Sequence, residues 1–298
     1  MTRREAPARP TADENTQASI SAHSPDAPMS VRLPVRRWNG AIPTPAEDDV
    51  TVEEPLQIRL AGEDVTVTMR TPGHDNELAA GFLFTEGIIS GKAHIEEIGP
   101  CSDDMGDPAP NIVNVFPTER NLLDPDRWGR NFYANSGCGL CGKTSLDHIF
   151  SRSPRLASRP DISITSQILY SLGVRLRGAQ ETFARTGGMH AAALFDLSGN
   201  LLVLREDVGR HNAVDKIIGH ALLGDMLPLD RHILLVSSRA SFEIVQKAHA
   251  AGIPILAAVS APSSLAVETA QEAGMTLVAF LREGRFNVYC GDERLGDT

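Results

Sequence analysis

Apolar positions along the chain keep two rhythms. From residue 56 they alternate with polar ones, as Leu56, Ile58 and Leu60, then as Val65, Val67 and Met69 beyond the turn-forming Ala61-Gly62-Glu63-Asp64. That pattern predicts a hairpin with one apolar face. After Pro72-Gly73 the period lengthens: Leu78, Phe82 and Leu83 stand at helical spacing between Asp75 and Ile89, and Asp75 is placed to cap the first turn. A helix covering the hairpin is expected, with a further strand from Ile112 to Phe116. Residues 50–135 therefore read as a smaller α+β lobe.

The second half is longer in period and more apolar. Residues 145–150 and 166–176 read as helices, the latter through Ile168, Leu169, Leu172 and Leu176. Two strands, 191–196 and 201–205, are joined by Ser198-Gly199-Asn200, whose Gly and Asn tolerate positive φ. A helix over 212–223 leads into strand, helix, strand, helix, strand at 233–237, 242–250, 255–259, 264–273 and 276–281. These strands are nearly continuous apolar runs, which suits burial on both faces. Residues 136–298 are thus expected to form an α/β lobe that opens with an antiparallel hairpin and continues with βαβ crossovers.

Before residue 50 the rhythm is absent. Seven of the 19 prolines fall there, with six basic and seven acidic side chains, so residues 1–49 read as a disordered tail. Arg32, Arg36, Arg37 and Trp38 form a candidate docking patch against the plainer reading of a solvated segment.

Composition narrows the function classes. With 298 residues and 42% hydrophobic content the chain can bury a proper core. No apolar run reaches the roughly 18–20 residues that cross a bilayer, and the N-terminus lacks the apolar core of a secretion signal. A net charge of −10 disfavours nucleic acid as a partner but leaves room for a small phosphorylated ligand. Four cysteines are too few for a disulfide scaffold. A cytoplasmic protein with no membrane partner is expected.

Two of those cysteines lie in Ser136-Gly137-Cys138-Gly139-Leu140-Cys141-Gly142-Lys143. Glycines on every flank cost folding entropy and let another molecule approach the sulfurs. Three readings are open. A structural zinc site needs four ligands, and only His148 is near, with Cys101 and Cys290 single and distant. A dithiol redox pair fits the spacing but lacks the preceding hydrophobic strand. Sulfur transfer through a persulfide needs an accessible thiolate, which Lys143 and a following helix start favour.

The second half offers a place for an acceptor. Ser237-Ser238-Arg239-Ala240-Ser241 and Ser260-Ala261-Pro262-Ser263-Ser264 each follow a predicted parallel strand and open a helix, where free N–H groups suit phosphate oxygens. Helix capping by serine is the competing reading. Arg282 and Arg285 follow the last long strand; solvated turn residues are the plain reading, and if that strand lies beside the others they can clamp a diphosphate. The polar run 205–216 reads in part as caps and surface charges, but helical spacing groups His211 with Asp215 and Asn212 with Lys216, which makes them supporting candidates. His190 opens a buried strand, where a satisfied core histidine is the plain reading.

Together these motifs resemble the FdhD family, sulfurtransferase accessory proteins of formate dehydrogenase, over roughly residues 35–295. The resemblance rests on Arg70-Thr71-Pro72-Gly73-His74-Asp75, the run from Gly81 to Gly87, Cys138-Gly139-Leu140-Cys141-Gly142, Thr186-Gly187-Gly188-Met189-His190, the run from Glu206 to Lys216, and Ser237-Ser238-Arg239-Ala240-Ser241-Phe242-Glu243. It implies a cytidine-deaminase-like mixed sheet with flanking helices, used as a homodimer. The implied activity takes sulfur from a cysteine desulfurase and delivers it to the bis(molybdopterin guanine dinucleotide) form of the molybdenum cofactor before insertion into formate dehydrogenase. Cys138 matches the persulfide-bearing cysteine and Cys141 its partner. Phe280, Leu281, Arg282, Glu283, Gly284 and Arg285 match the segment used on the cofactor's guanine nucleotide portion. No tightly bound metal of its own is implied. A cofactor chaperone without sulfur transfer and a dithiol redox protein are the alternatives. Deamination is disfavoured, because the required His-x-Glu reads His190-Ala191-Ala192 here.

Overall fold

The computed structural model describes residues 28–102, 108–118 and 162–296. Four strands, β3 (Glu54–Leu60), β4 (Glu63–Arg70), β5 (Ile95–Ser102) and β6 (Pro108–Pro117), form a small sheet in the order β4-β3-β6-β5. The hairpin of β3 and β4 is antiparallel, and β6 runs parallel to β3. Helix α1 (Asp75–Thr85) covers it, so that Leu78 and Leu83 bury against Leu56, Ile58, Leu60 and Val115. The helix is shorter than its apolar pattern, because the chain turns at Gly87, whose φ is +71° and whose amide bonds Phe84 O at 2.9 Å.

The large sheet is mixed, in the order β13-β12-β11-β10-β8-β9. Its members are β8 (His190–Asp196), β9 (Leu201–Asp207), β10 (His232–Val236), β11 (Ile255–Ala258), β12 (Thr276–Arg282) and β13 (Arg285–Cys290). The three central strands β10, β11 and β12 are parallel. Along each, alternate residues enter different cores. Leu234, Leu256 and Leu277 pack under α4 (Arg210–Leu223), α5 (Phe242–Ala250) and α6 (Ser264–Ala273). Ile233, Ile255 and Val278 face the opposite side, under Leu169, Leu172 and Leu176 of α2 (Ser166–Ala179). Burial on both faces explains the continuous apolar runs. A short helix α3 (Glu181–Thr186) precedes β8, and β7 (Ile164–Thr165) pairs with β14 (Leu295–Gly296).

Three expectations need correction. Residues 30–51 are an antiparallel ribbon, β1 (Ser30–Asn39) with β2 (Ile42–Thr51), where a tail without structure was expected up to residue 49. Val31, Leu33 and Val35 do alternate there, but the interleaved arginines and prolines obscure the period. Residues 1–27 lie outside the described residues. Asp75 does not cap α1: His74 holds the cap position in left-handed backbone with no side-chain cap, while Asp75 receives a two-pronged bond from the buried Arg70 guanidinium at 3.0 and 2.9 Å. Strands β5 and β13 were not anticipated. The expected boundary at 135/136 and the helix at 145–150 lie outside the described residues. No helix of the described residues is long and apolar enough to cross a membrane.

Candidate functional site

The carboxyl ends of β10, β11 and β12 lie side by side, as parallel register requires. Beyond them the chain is stitched through its backbone. Ser260 N bonds Ser238 O at 3.3 Å, Ala240 N bonds Ala261 O at 3.2 Å, Ser263 N bonds Ala240 O at 3.0 Å, and Phe280 N bonds Ser260 O at 3.2 Å. The two serine loops and the end of β12 therefore form one continuous edge, and the sequence-predicted residues Ser237, Ser238, Arg239, Ser260, Ser263 and Phe280 to Arg285 are brought together.

Within that edge the side chains divide by task. The Ser237 hydroxyl accepts from Ala191 N at 2.9 Å and that of Ser263 caps α6 from Ala266 N at 3.2 Å, so both serve the fold. Ser238 is buried and donates to Arg239 O at 3.0 Å. Arg282 crosses between loops, donating to Val259 O at 2.5 Å and Leu281 O at 2.8 Å. Arg239 and Arg285 are exposed, and neither guanidinium has a hydrogen bond or ion pair among the described residues. Phe280 is 42% exposed with φ +53°. A bulky residue in left-handed backbone is strained; here the ring is partly exposed while Leu281 is buried. Glu283 and Gly284 make the exposed turn between β12 and β13, with Gly284 at φ +74°.

His211 borders this edge from α4. Its Nε2 lies 3.4 Å from Ser241 Oγ and 3.8 Å from Glu243 Oε2 at the start of α5. Burial, with the charges of Arg210 and Lys247, lowers the imidazole to about 4. Burial pushes Glu243 upward, but its own amide, the Ser241 hydroxyl, His211 and Arg210 outweigh that and lower it. His190 is lowered as well, by burial and then by Arg210. Arg210, outside the candidates that the sequence offers, has a buried Nε without a partner among the described residues. Its only signal was its place in the polar run between strand and helix.

Asn212 and Lys216 are not at this edge. Lys216 is wholly buried, 2.7 Å from Asp207 and donating to Thr71 O at 2.9 Å. Asn212 donates to Met69 O at 2.8 Å and Asp207 Oδ1 at 3.0 Å. Thr71 N also donates to Asp207 at 3.3 Å, and the Thr71 hydroxyl accepts from Val208 N at 3.2 Å and reaches the Met189 sulfur at 3.5 Å. Asn212, buried to 8%, and Lys216, wholly buried, therefore spend their polar groups on joining β4 to β9 and α4. Asp215 plays a parallel part, held with Thr85 and Lys247 at 2.9 Å where α1, α4 and α5 meet. Cys138 and Cys141 lie outside the described residues. A surface depression of about 350 Å³, lined by Phe84, Lys92, Leu222, Asp225 and Leu227, contains none of the predicted site residues.

The chain is thus a mixed α/β protein whose large sheet presents a backbone-stitched edge with an exposed aromatic ring and two exposed arginines. It matches the model of the FdhD/NarQ family over residues 51–296 and belongs to that family. It is 51% identical over 269 residues to the sulfur carrier protein FdhD of Streptomyces coelicolor, covering 89% of this chain and 94% of that one. It is 46% identical over 256 residues to the protein of the same name from Thermoplasma volcanium, covering 84% and 90%. Among solved structures, one assigned as a formate dehydrogenase accessory protein from Desulfotalea psychrophila is similar with a TM-score of 0.69 and 26% identity, covering 90% of this chain and 100% of that one.

Proposed function

We propose that this protein is a cytoplasmic sulfur carrier that accepts persulfide sulfur from a cysteine desulfurase on Cys138 and passes it to the bis(molybdopterin guanine dinucleotide) form of the molybdenum cofactor, ahead of formate dehydrogenase assembly. The relatives' names support the carrier role. The observation that supports the acceptor side is the edge at β10, β11 and β12, whose backbone carries the exposed Arg239, Arg285 and Phe280, the two guanidiniums having no hydrogen bond or ion pair among the described residues. Guanidiniums match phosphate oxygens in charge and geometry, and an aromatic face offers a stacking surface to a purine. Both belong to a guanosine diphosphate arm.

The chemistry at sulfur balances without an oxidant. The Cys138 thiolate attacks the outer sulfur of the donor persulfide, a new S–S bond forms, the donor's S–S bond breaks, and the donor cysteine leaves as thiolate. If Cys141 then attacks the inner sulfur of Cys138, hydrosulfide leaves and a Cys138–Cys141 disulfide remains for an external thiol to reduce. The large lobe is read as a cytidine-deaminase-like scaffold without the deaminase acid.

Mass spectrometry after incubation with the desulfurase and cysteine tests the reading: the wild type gains one sulfur atom and Cys138→Ala does not. Equal loading of Cys138→Ala would overturn the assignment. Guanosine diphosphate binding without any sulfur loading would instead indicate a cofactor chaperone.

A further inference from the structure

The ribbon of β1 and β2 is tied to the body at its base, where Thr51 bonds Thr186 at 2.9 Å and the Thr182 hydroxyl reaches the Met29 sulfur at 3.6 Å. From there it runs in unbroken register to Asn39–Ile42 and turns at Gly40, whose φ is +84°. Each strand has one side paired and one free. A two-stranded ribbon is marginal in water, whereas three strands with an apolar face hold.

The two free edges differ in what their backbones offer. In an antiparallel pair, residues that bond across the ladder alternate with residues that turn both N–H and C=O outward. Val52 N donates to Met29 O at 3.0 Å, so that pair belongs to the bonded set. Steps of two along the register put Arg37–Thr44 in the same set, and the Thr44 hydroxyl reaches Arg37 O at 3.4 Å. Arg36 and Trp38 therefore turn their N–H and C=O outward along β1. Their partners across the ladder, Pro45 and Pro43, face outward along β2 with no N–H to give. Toward the tip, β2 is closed to a further strand and β1 is open.

Charge and exposure mark the same end. Between Leu33 and Ala46 the only charged residues are Arg36 and Arg37, in a chain of net charge −10. Both are exposed, and neither guanidinium has a hydrogen bond or ion pair among the described residues. Arg32, nearer the base, is instead paired with Asp49 at 3.4 Å. Trp38 and Ile42 are 65% and 76% exposed.

We propose that the outer edge of β1 at Arg36 to Trp38 takes an extended, acidic segment of a partner protein as a third strand. Main-chain bonds to Arg36 and Trp38 make the attachment. Arg36 and Arg37 point to opposite faces of the ribbon, so each meets a carboxylate on its own side. Trp38, on the face of Arg36, covers an apolar side chain of the segment. Nucleic acid is the poorer occupant, because two guanidiniums neutralise few phosphates. The inference is independent of the sulfur-carrier reading, since segment binding and sulfur loading are measured separately.

Fluorescence anisotropy of the full chain with a labelled peptide of repeating Glu-Glu-Val-Val provides the test, since that repeat puts carboxylates on both faces of a strand. The wild type is expected to bind it. The same peptide N-methylated at every residue keeps its charge but has no N–H to donate, and is expected to bind at least about tenfold more weakly. Arg36→Glu with Arg37→Glu is expected to weaken binding by about tenfold or more with no change in thermal midpoint, because both side chains are exposed and unpaired. No binding by the wild type, equal binding of the N-methylated peptide, or full affinity in the charge-reversed variant would each overturn the proposal. So would an affinity that falls as the protein is concentrated, which would assign the edge to a second copy of the chain.

Discussion

Gly81 of α1 and Gly219 of α4 meet backbone to backbone where the two lobes cross. A methyl group on Gly81 would lie 1.9 Å from Asp215 O, and one on Gly219 1.8 Å from Glu77 O. Both obstacles are main chain, so no flexible side chain can yield. The crossing is reinforced beside it by the Glu77 carboxylate, which accepts from Arg205 at 2.5 and 2.7 Å and lies 3.0 Å from His220 Nδ1. Gly219→Ala is therefore expected to cost about 3 kcal/mol or more, at the upper end of overpacking penalties. Urea denaturation followed by circular dichroism checks this, and an unchanged midpoint would show that the helices separate freely.

The buried pair of Lys216 and Asp207 gives a second expectation. Both side chains are fully removed from solvent, so removing one charge strands the other. Lys216→Met should lower stability by about 3–5 kcal/mol. The double variant Lys216→Met with Asp207→Asn should recover part of that loss, because no unpaired charge remains. The comparison of denaturation midpoints reads it, and equal stability of the two variants would refute it.

Acid should loosen the protein through His211. Its folded pKa of about 4 lies below the ordinary value of 6.5, so the folded state disfavours the proton. The stability it contributes is complete above about pH 6.5 and is lost as pH falls through about 4, amounting to roughly 3 kcal/mol. Burial lowers His74, His190 and His232 in the same direction. His211→Gln should flatten the slope of stability against pH between 4 and 6.5, measured by denaturation at a series of pH values.

At the sheet edge, free and engaged arginines should behave differently. Arg239→Ala is expected to weaken guanosine diphosphate binding by about 10- to 100-fold, the loss of one or two charge-assisted hydrogen bonds, with no change in thermal midpoint. Arg282→Ala should lower both, because its guanidinium also ties Val259 O. Calorimetric titration alongside thermal melts separates the cases, and full affinity in Arg239→Ala would remove that residue from the site.

Much of the large lobe is legible because its strands are buried on both faces and its helices follow short serine-bearing turns, with Ser263 capping Ser264–Ala273. Phe242–Ala250 and Ser264–Ala273 fall where the pattern puts them. Strand β13 did carry a signal, with Phe286, Val288 and Cys290 turned partly inward and Arg285, Asn287 and Tyr289 outward. Six residues after a turn are easily read as a tail. Asn212 and Lys216 show the limit at the site: spacing placed them on a helix, but only tertiary contacts reveal that their polar groups are spent on Thr71, Met69 and Asp207. Ser263 fell to the capping reading for the same reason, whereas the freedom of Arg239 cannot be read from sequence at all.

The bonds that join Ser238, Ala240, Ser260 and Phe280 across the sheet edge are all between main-chain atoms. The platform's shape is thus independent of what most of its side chains are. Residues on it can be exchanged while the three strand ends keep their spacing.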